Sequence, residues 1–245
     1  MAWTAPPAEG APHRLAVSDG PGLVRLLTLP GARVKWGYDA GGESSLTGEP
    51  PQVRAWADAL MVAVRRNHGV ELDRLDAADG RSAWSGGPAF LDADRIDLSA
   101  ADADPQRLYV PAAGTLFAID LEDGKPLWEM DLPETNGAGG WVVRAGRRVV
   151  IAYPRVAVPA EPVGDVWERV VRSFRRAPVP GRLPGLADTL YDAWVGRAVP
   201  VLLFDPETGR LLRRLDVPAR GPFVTAYFGR DLAVIATGDR VCWLK

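Results

Sequence analysis

Short apolar runs recur along the chain and are separated by clusters of Asp, Gly and Pro. Ala59–Arg65, Arg107–Pro111, Arg148–Tyr153 and Asp231–Ala236 are near-continuous apolar stretches, and Thr115-Leu-Phe-Ala-Ile119 is a further one that ends on Asp120. Runs of this length, bounded by turn residues and rich in Val, Ile and Leu, predict β-strands. One stretch breaks the pattern. In Asp165–Arg176 the apolar residues Val166, Trp167, Val170, Val171 and Phe174 share one helical arc, while Arg169, Arg172, Arg175 and Arg176 share the opposite one. Asp165 suits the N-cap, and Leu186, Leu190, Tyr191 and Trp194 form a second stripe after a Pro/Gly-rich loop. The spacing predicts a helical hairpin within an insertion at about 154–200.

The strands belong to a repeat. Leu75-Asp-Ala-Ala-Asp-Gly-Arg-Ser-Ala-Trp84 aligns without gaps on Ile119-Asp-Leu-Glu-Asp-Gly-Lys-Pro-Leu-Trp128. A third copy, Phe204 to Arg213, keeps Asp205 and Gly209 but carries arginine in place of tryptophan. A worn fourth copy runs from Leu27 to Trp36 and loses both Asp and Gly. Trp36, Trp84 and Trp128 fall 48 and 44 residues apart, a period that suits four-stranded propeller blades. Each motif reads as a hairpin. The aspartate carboxylate accepts N–H groups of the following turn, and the glycine four residues on (Gly80, Gly124, Gly209) provides positive φ. The tryptophan then lands on one face of the next strand, where it packs against a neighbouring sheet.

These residues resemble the repeat of the pyrroloquinoline-quinone (PQQ)-type β-propellers, most clearly in Leu116-Phe-Ala-Ile-Asp120 with Gly124-Lys-Pro-Leu-Trp128. The resemblance covers residues of about 13–153 and 201–245 and implies that an outer-strand tryptophan docks neighbouring blades. The expected fold is all-β: a propeller of four-stranded antiparallel blades, about four to five in number, forming a partial or unusually closed ring with a helical insertion. Residues 1–12 are expected to be a disordered N-terminal segment, and the first blade is expected to start part-way through, at about His13. Asp239–Trp243 is expected to be only the third strand of the last blade. Open blade edges of this kind invite self-association.

Composition narrows the function. With a net charge of −2 and a pI of 5.8, the chain has no electrostatic footprint of a general nucleic-acid binder. A single cysteine, Cys242, excludes an internal disulfide framework and multi-cysteine metal sites, and two histidines offer little for histidine-rich ones. No run is long and apolar enough to span a membrane, and the start lacks a basic segment followed by an apolar core. As written, the expected location is the cytoplasm; a longer start carrying an export signal would place the chain in the periplasm or cell envelope.

The resembled superfamily contains quinone-dependent dehydrogenases as well as cofactor-free scaffolds of outer-membrane assembly. A dehydrogenase of that kind implies a calcium site of carboxylate and asparagine, PQQ stacked on tryptophan, and a catalytic aspartate. Asn67 and Asn136 are the only asparagines here. Asp76, Asp120 and Asp205 read as turn caps rather than ligands, and Asp92–Asp104 as a solvated acidic loop. His68 sits in a hairpin turn with no nucleophile to serve. The expectation is a non-catalytic scaffold for protein partners, needing neither PQQ nor calcium. Its individual surface is the basic helix, which is suited to an acidic partner or to peripheral contact with an anionic membrane. The alternatives are a quinoprotein-type oxidoreductase or a fragment of one, for which PQQ and calcium would be required, and an accessory ligand-binding domain of a larger protein.

Overall fold

A computed structural model describes residues 2–3, 13–18, 23–39, 49–56, 59–133, 140–146, 148–155, 158–159, 197–219, 224–228, 233–237 and 241–244. The chain divides into two compact units, Met1–Pro133 and Glu134–Lys245. The described residues contain no α-helix; the apolar runs became strands, and all strand pairs are antiparallel. The helical hairpin expected over 165–194, with Arg169, Arg172, Arg175 and Arg176, lies outside the described residues.

The first unit holds three four-stranded sheets, each following the chain from one edge to the other. The first comprises β1 (Ala2–Trp3), β2 (His13–Ser18), β3 (Leu23–Leu29) and β4 (Arg33–Asp39). The second comprises β5 (Gln52–Trp56), β6 (Ala59–Arg66), β7 (Gly69–Asp76) and β8 (Ala89–Leu91). The third comprises β9 (Asp102–Ala103), β10 (Arg107–Pro111), β11 (Thr115–Asp120) and β12 (Pro126–Asp131). This edge-to-edge meander, repeated with the repeat's own period, is the blade of a β-propeller.

The second unit holds two more sheets. One is built on β13 (Trp141–Ala145), β14 (Val150–Pro154), β16 (Arg197–Phe204) and β17 (Leu211–Ala219), with the short β15 (Val158–Pro159) added beside the start of β16. The last has three strands: β18 (Val224–Phe228), β19 (Ala233–Thr237) and β20 (Val241–Leu244).

Two boundaries differ from those expected. Ala2 and Trp3 pair with Ala16 and Leu15, which gives the first sheet a strand ahead of His13. Two residues carry too little periodicity to be seen as a strand. Likewise, within the stretch given to the insertion by the sequence, Val158–Pro159 pair with Arg197 and Ala198, and Arg197–Pro200 belong to β16. Pro200 masks that part of β16 in the sequence, because proline usually marks the end of a strand.

The continuous apolar runs have a direct reading. Alternate residues of β6 enter different cores: Leu60, Val62 and Val64 pack with Ala16, Val24, Leu26 and Trp36 of the first sheet. Met61 and Ala63 pack with Leu108, Val110, Phe117 and Ile119 of the third. A strand sandwiched between two sheets has no polar face to show. In the second unit the corresponding core joins Ile151, Tyr153, Val199, Val201 and Val217 to Ile235 of β19.

Candidate functional site

The residues singled out by the repeat converge on one structural device. In each turn the backbone closes the same loop: Asp76 N donates to Arg81 O (2.9 Å) and Gly80 N to Asp76 O (2.8 Å), with equivalents at 2.9 and 3.0 Å for Asp120 and at 2.9 Å for both bonds of Asp205. The carboxylate then accepts from the turn. Asp76 Oδ1 takes Ala78 N, Asp120 Oδ1 takes Glu122 N (2.6 Å), and Asp205 Oδ1 takes Glu207 N and Thr208 N, both at 2.9 Å. Those N–H groups hold the Asp205 carboxyl below the usual aspartate range, led by Thr208. Gly80, Gly124 and Gly209 sit at φ of +77°, +78° and +69°. In the worn copy Ala32 occupies the equivalent place and adopts φ +48°, the only non-glycine residue with positive φ among the described residues.

Beyond three of the turns the outer strand takes one extra residue; after the Asp76 turn, Trp84 lies between the Leu75–Ser82 bridge and β8 and is not part of a strand. The register slips between Leu26 and Leu27, between Ala118 and Ile119, and between Leu203 and Phe204. This bulge sets Trp36 opposite Leu26, Trp128 opposite Ala118 and Arg213 opposite Leu203.

The docking is from one sheet to the next turn. Trp36 is 9% exposed; its ring lies against Gly80, and its Nε1 donates to Ala77 O (3.3 Å). Trp84, 3% exposed, lies against Gly124 and donates to Leu121 O (3.1 Å). Each acceptor is the residue after the aspartate of the turn. Arg74 Nη1 also donates to Leu121 O, at 2.8 Å. Trp128 is half-buried, 5.8 Å from the Tyr109 ring, and Arg213 is exposed.

Sequence reasoning missed two polar contacts. Asp73, the one buried charged or polar residue among those described, receives Tyr38 Oη (3.0 Å) and Ser82 Oγ (2.7 Å). In the third sheet Tyr109 Oη donates to Asp104 Oδ2 (2.7 Å), whose other oxygen accepts Gln106 N and Arg107 N. Burial pushes both tyrosine hydroxyls well above the ordinary value, aided by the neighbouring carboxylates. Each partner is several residues or a whole sheet away, so no local pattern announces it.

These geometries bear on cofactors. Among the described residues no three His, Cys, Asp or Glu side chains gather where they could hold a metal ion. Asp97, in the acidic stretch, caps the 3-10 turn Leu98–Ala100 through Ser99 N (3.0 Å), and His68 is exposed in the β6–β7 hairpin.

The model of a family denoted PQQ_2, described as outer membrane protein assembly factor BamB, matches residues 1–184. No curated protein matches the sequence. Among solved structures, BamB from Moraxella catarrhalis is 16% identical with a TM-score of 0.42, over 96% of this chain and 70% of that one. The dihydro-heme d1 dehydrogenase NirN is 16% identical with a TM-score of 0.48, over 91% of this chain and 40% of that one. Quinohemoprotein alcohol dehydrogenase from Comamonas testosteroni is 15% identical with a TM-score of 0.46, over 91% and 38%. The chain spans well under half the length of the two dehydrogenases.

Proposed function

Because the chain belongs to the PQQ_2 family described as outer membrane protein assembly factor BamB, we propose that it is a non-catalytic propeller that presents rigid blade surfaces to protein partners and works without PQQ or calcium. One observation supports this reading above the rest. The chemistry-bearing residues of the repeat are engaged in holding sheets together: Asp76, Asp120 and Asp205 by their own turns, Trp36 and Trp84 by the glycine of the next turn. The Asp205 carboxyl, which accepts Glu207 N and Thr208 N, is held below the ordinary aspartate range and is the less basic for it. What such a scaffold offers is a fixed surface, and fixed surfaces lower the ordering cost of association.

The test has two arms. Incubation with PQQ and calcium should neither raise the melting temperature nor produce dye reduction with a panel of alcohols and aldoses; turnover would overturn the reading in favour of a quinoprotein oxidoreductase. In-cell crosslinking should return a stoichiometric protein adduct, and a chain that stays uncrosslinked and monomeric speaks against a scaffold.

A further inference from the structure

The longest strand among the described residues is β17, which runs for nine residues and is bonded along one side only, to β16. No strand lies beside its other edge among the described residues. Leu211, Leu212, Arg213, Arg214, Asp216 and Pro218 are all exposed.

Two prolines tell which way this backbone points. Pro200 of β16 stands opposite Asp216, and Pro218 stands opposite Ala198. Along an antiparallel ladder, pairs that exchange both N–H···O bonds alternate with pairs whose polar groups point away from each other. A proline has no N–H to exchange, so the pairs of Pro200 and Pro218 are of the second kind. The register runs unbroken from there to Leu202 opposite Arg214, which puts Arg214 in the same phase. Arg214 and Asp216 therefore turn their N–H and C=O groups to the open edge.

An open edge is a template for another strand, and the charges on this one complement themselves. Arg214 and Asp216 share one face of β17; Arg214 Nε donates to Asp216 Oδ1 at 3.2 Å, with both side chains 53% exposed, a pairing worth little in water. Two copies of β17 laid antiparallel about Leu215 set Arg214 of each opposite Asp216 of the other, with both backbone bonds exchanged at each pair. Centring the pairing on Arg214 sets arginine against arginine, and centring it on Asp216 sets carboxylate against carboxylate. The charges thus select one register. The outer strand β12 has no such complement, because it carries Glu129 and Asp131 and no cation.

We propose that two copies of this chain pair through β17, antiparallel and centred on Leu215. The proposal stands apart from the reading of the chain as a scaffold for other proteins.

The test is a charge exchange in the full chain, read by sedimentation over a concentration series. The parent should pass from monomer to dimer and stop there, because a two-fold pairing uses up the edge. R214D and D216R each put a single sign of charge across the seam, and each should associate with itself about tenfold or more weakly than the parent. Mixed together they should form a heterodimer at the parent's affinity, since every arginine then faces a carboxylate, and R214D/D216R alone should dimerise likewise. Both side chains are at the surface, so melting temperatures should be unchanged, and rescue in the mixture shows that neither variant is misfolded. The Arg214 and Asp216 amides should exchange more slowly as concentration rises, while that of Leu215, already facing β16, should not change. A parent that stays monomeric, single variants that dimerise as the parent does, or a mixture that stays monomeric would overturn the proposal. So would growth beyond the dimer. A chain that does not pair with itself yet is crosslinked to another protein refutes the β17 pairing and leaves the scaffold reading standing.

Discussion

The indole of Trp84 lies so close to Gly124 that a Cβ on that glycine would stand 2.5 Å from Trp84 Cδ2; Trp36 and Gly80 repeat the relationship at 2.5 Å. The glycine of the turn is thus needed twice, once for its φ of +78° and once because the tryptophan of the preceding sheet occupies the space of a side chain. The two demands can be separated. Gly87 has φ +80° and nothing within 4 Å of its virtual Cβ, so Gly87→Ala should cost about 1 kcal/mol, the conformational part alone. Gly124→Ala adds overpacking of about 1–3 kcal/mol against a buried ring. Urea midpoints of the two variants should differ in that sense; equal midpoints would mean that Trp84 yields freely.

Ala32 is the converse case. It holds φ +48° in the worn turn and is exposed, so a left-handed residue carries its strain with no packing to offset it. Ala32→Gly should stabilise the chain by up to about 1 kcal/mol, the reverse of the usual effect of glycine. The denaturation midpoint reads the sign directly.

The turn carboxylates predict an acid response. The Asp205 carboxyl is depressed mainly by the Thr208 and Glu207 N–H groups. Its stabilising contribution is therefore complete above the ordinary aspartate value and is lost as pH falls through its own lower value. In carboxyl-carbon NMR, Asp205 should titrate below a model aspartate. Asp205→Asn, which keeps an acceptor but not the charge, should flatten the pH dependence of stability below about pH 4.

The turns were readable because everything they need is local: aspartate, glycine and tryptophan act within nine residues, and the loop geometry follows from φ and N–H capping. The docking partner of each tryptophan was less readable, since Trp36 reaches a turn that begins 40 residues later at Asp76. Only the regularity of the repeat tells that the next copy stands beside the last. Asp73 was also missed, because Glu71, Arg74 and Asp76 beside it in β7 are polar as well and nothing local marks it as the buried one.

Asp73 also bears on how interchangeable the blades are. It stands three residues before Asp76, where the other intact repeats carry Phe117 and Leu202, exposed by 3% and 2%. A buried carboxylate has therefore been placed at a position that elsewhere is apolar, and it is satisfied by Tyr38 of the preceding sheet and by Ser82. Tyr38→Phe removes one donor and leaves the charge under-bonded, which should cost about 1–3 kcal/mol. The raised Tyr38 hydroxyl keeps its proton through the neutral range, so its contribution is full below the ordinary tyrosine value of about 10 and is lost as pH rises through the higher folded value. Tyrosinate absorbance should accordingly appear for Tyr38 only above the ordinary range, or together with alkaline unfolding. The decisive variant is Y38F/D73L/S82A, which gives this position the apolar character of the other sheets. Removing all three partners leaves no orphaned polar group, so most of the Tyr38→Phe loss should be regained. If the triple variant is instead less stable than Y38F, the contact provides net stability rather than marking which sheet follows which.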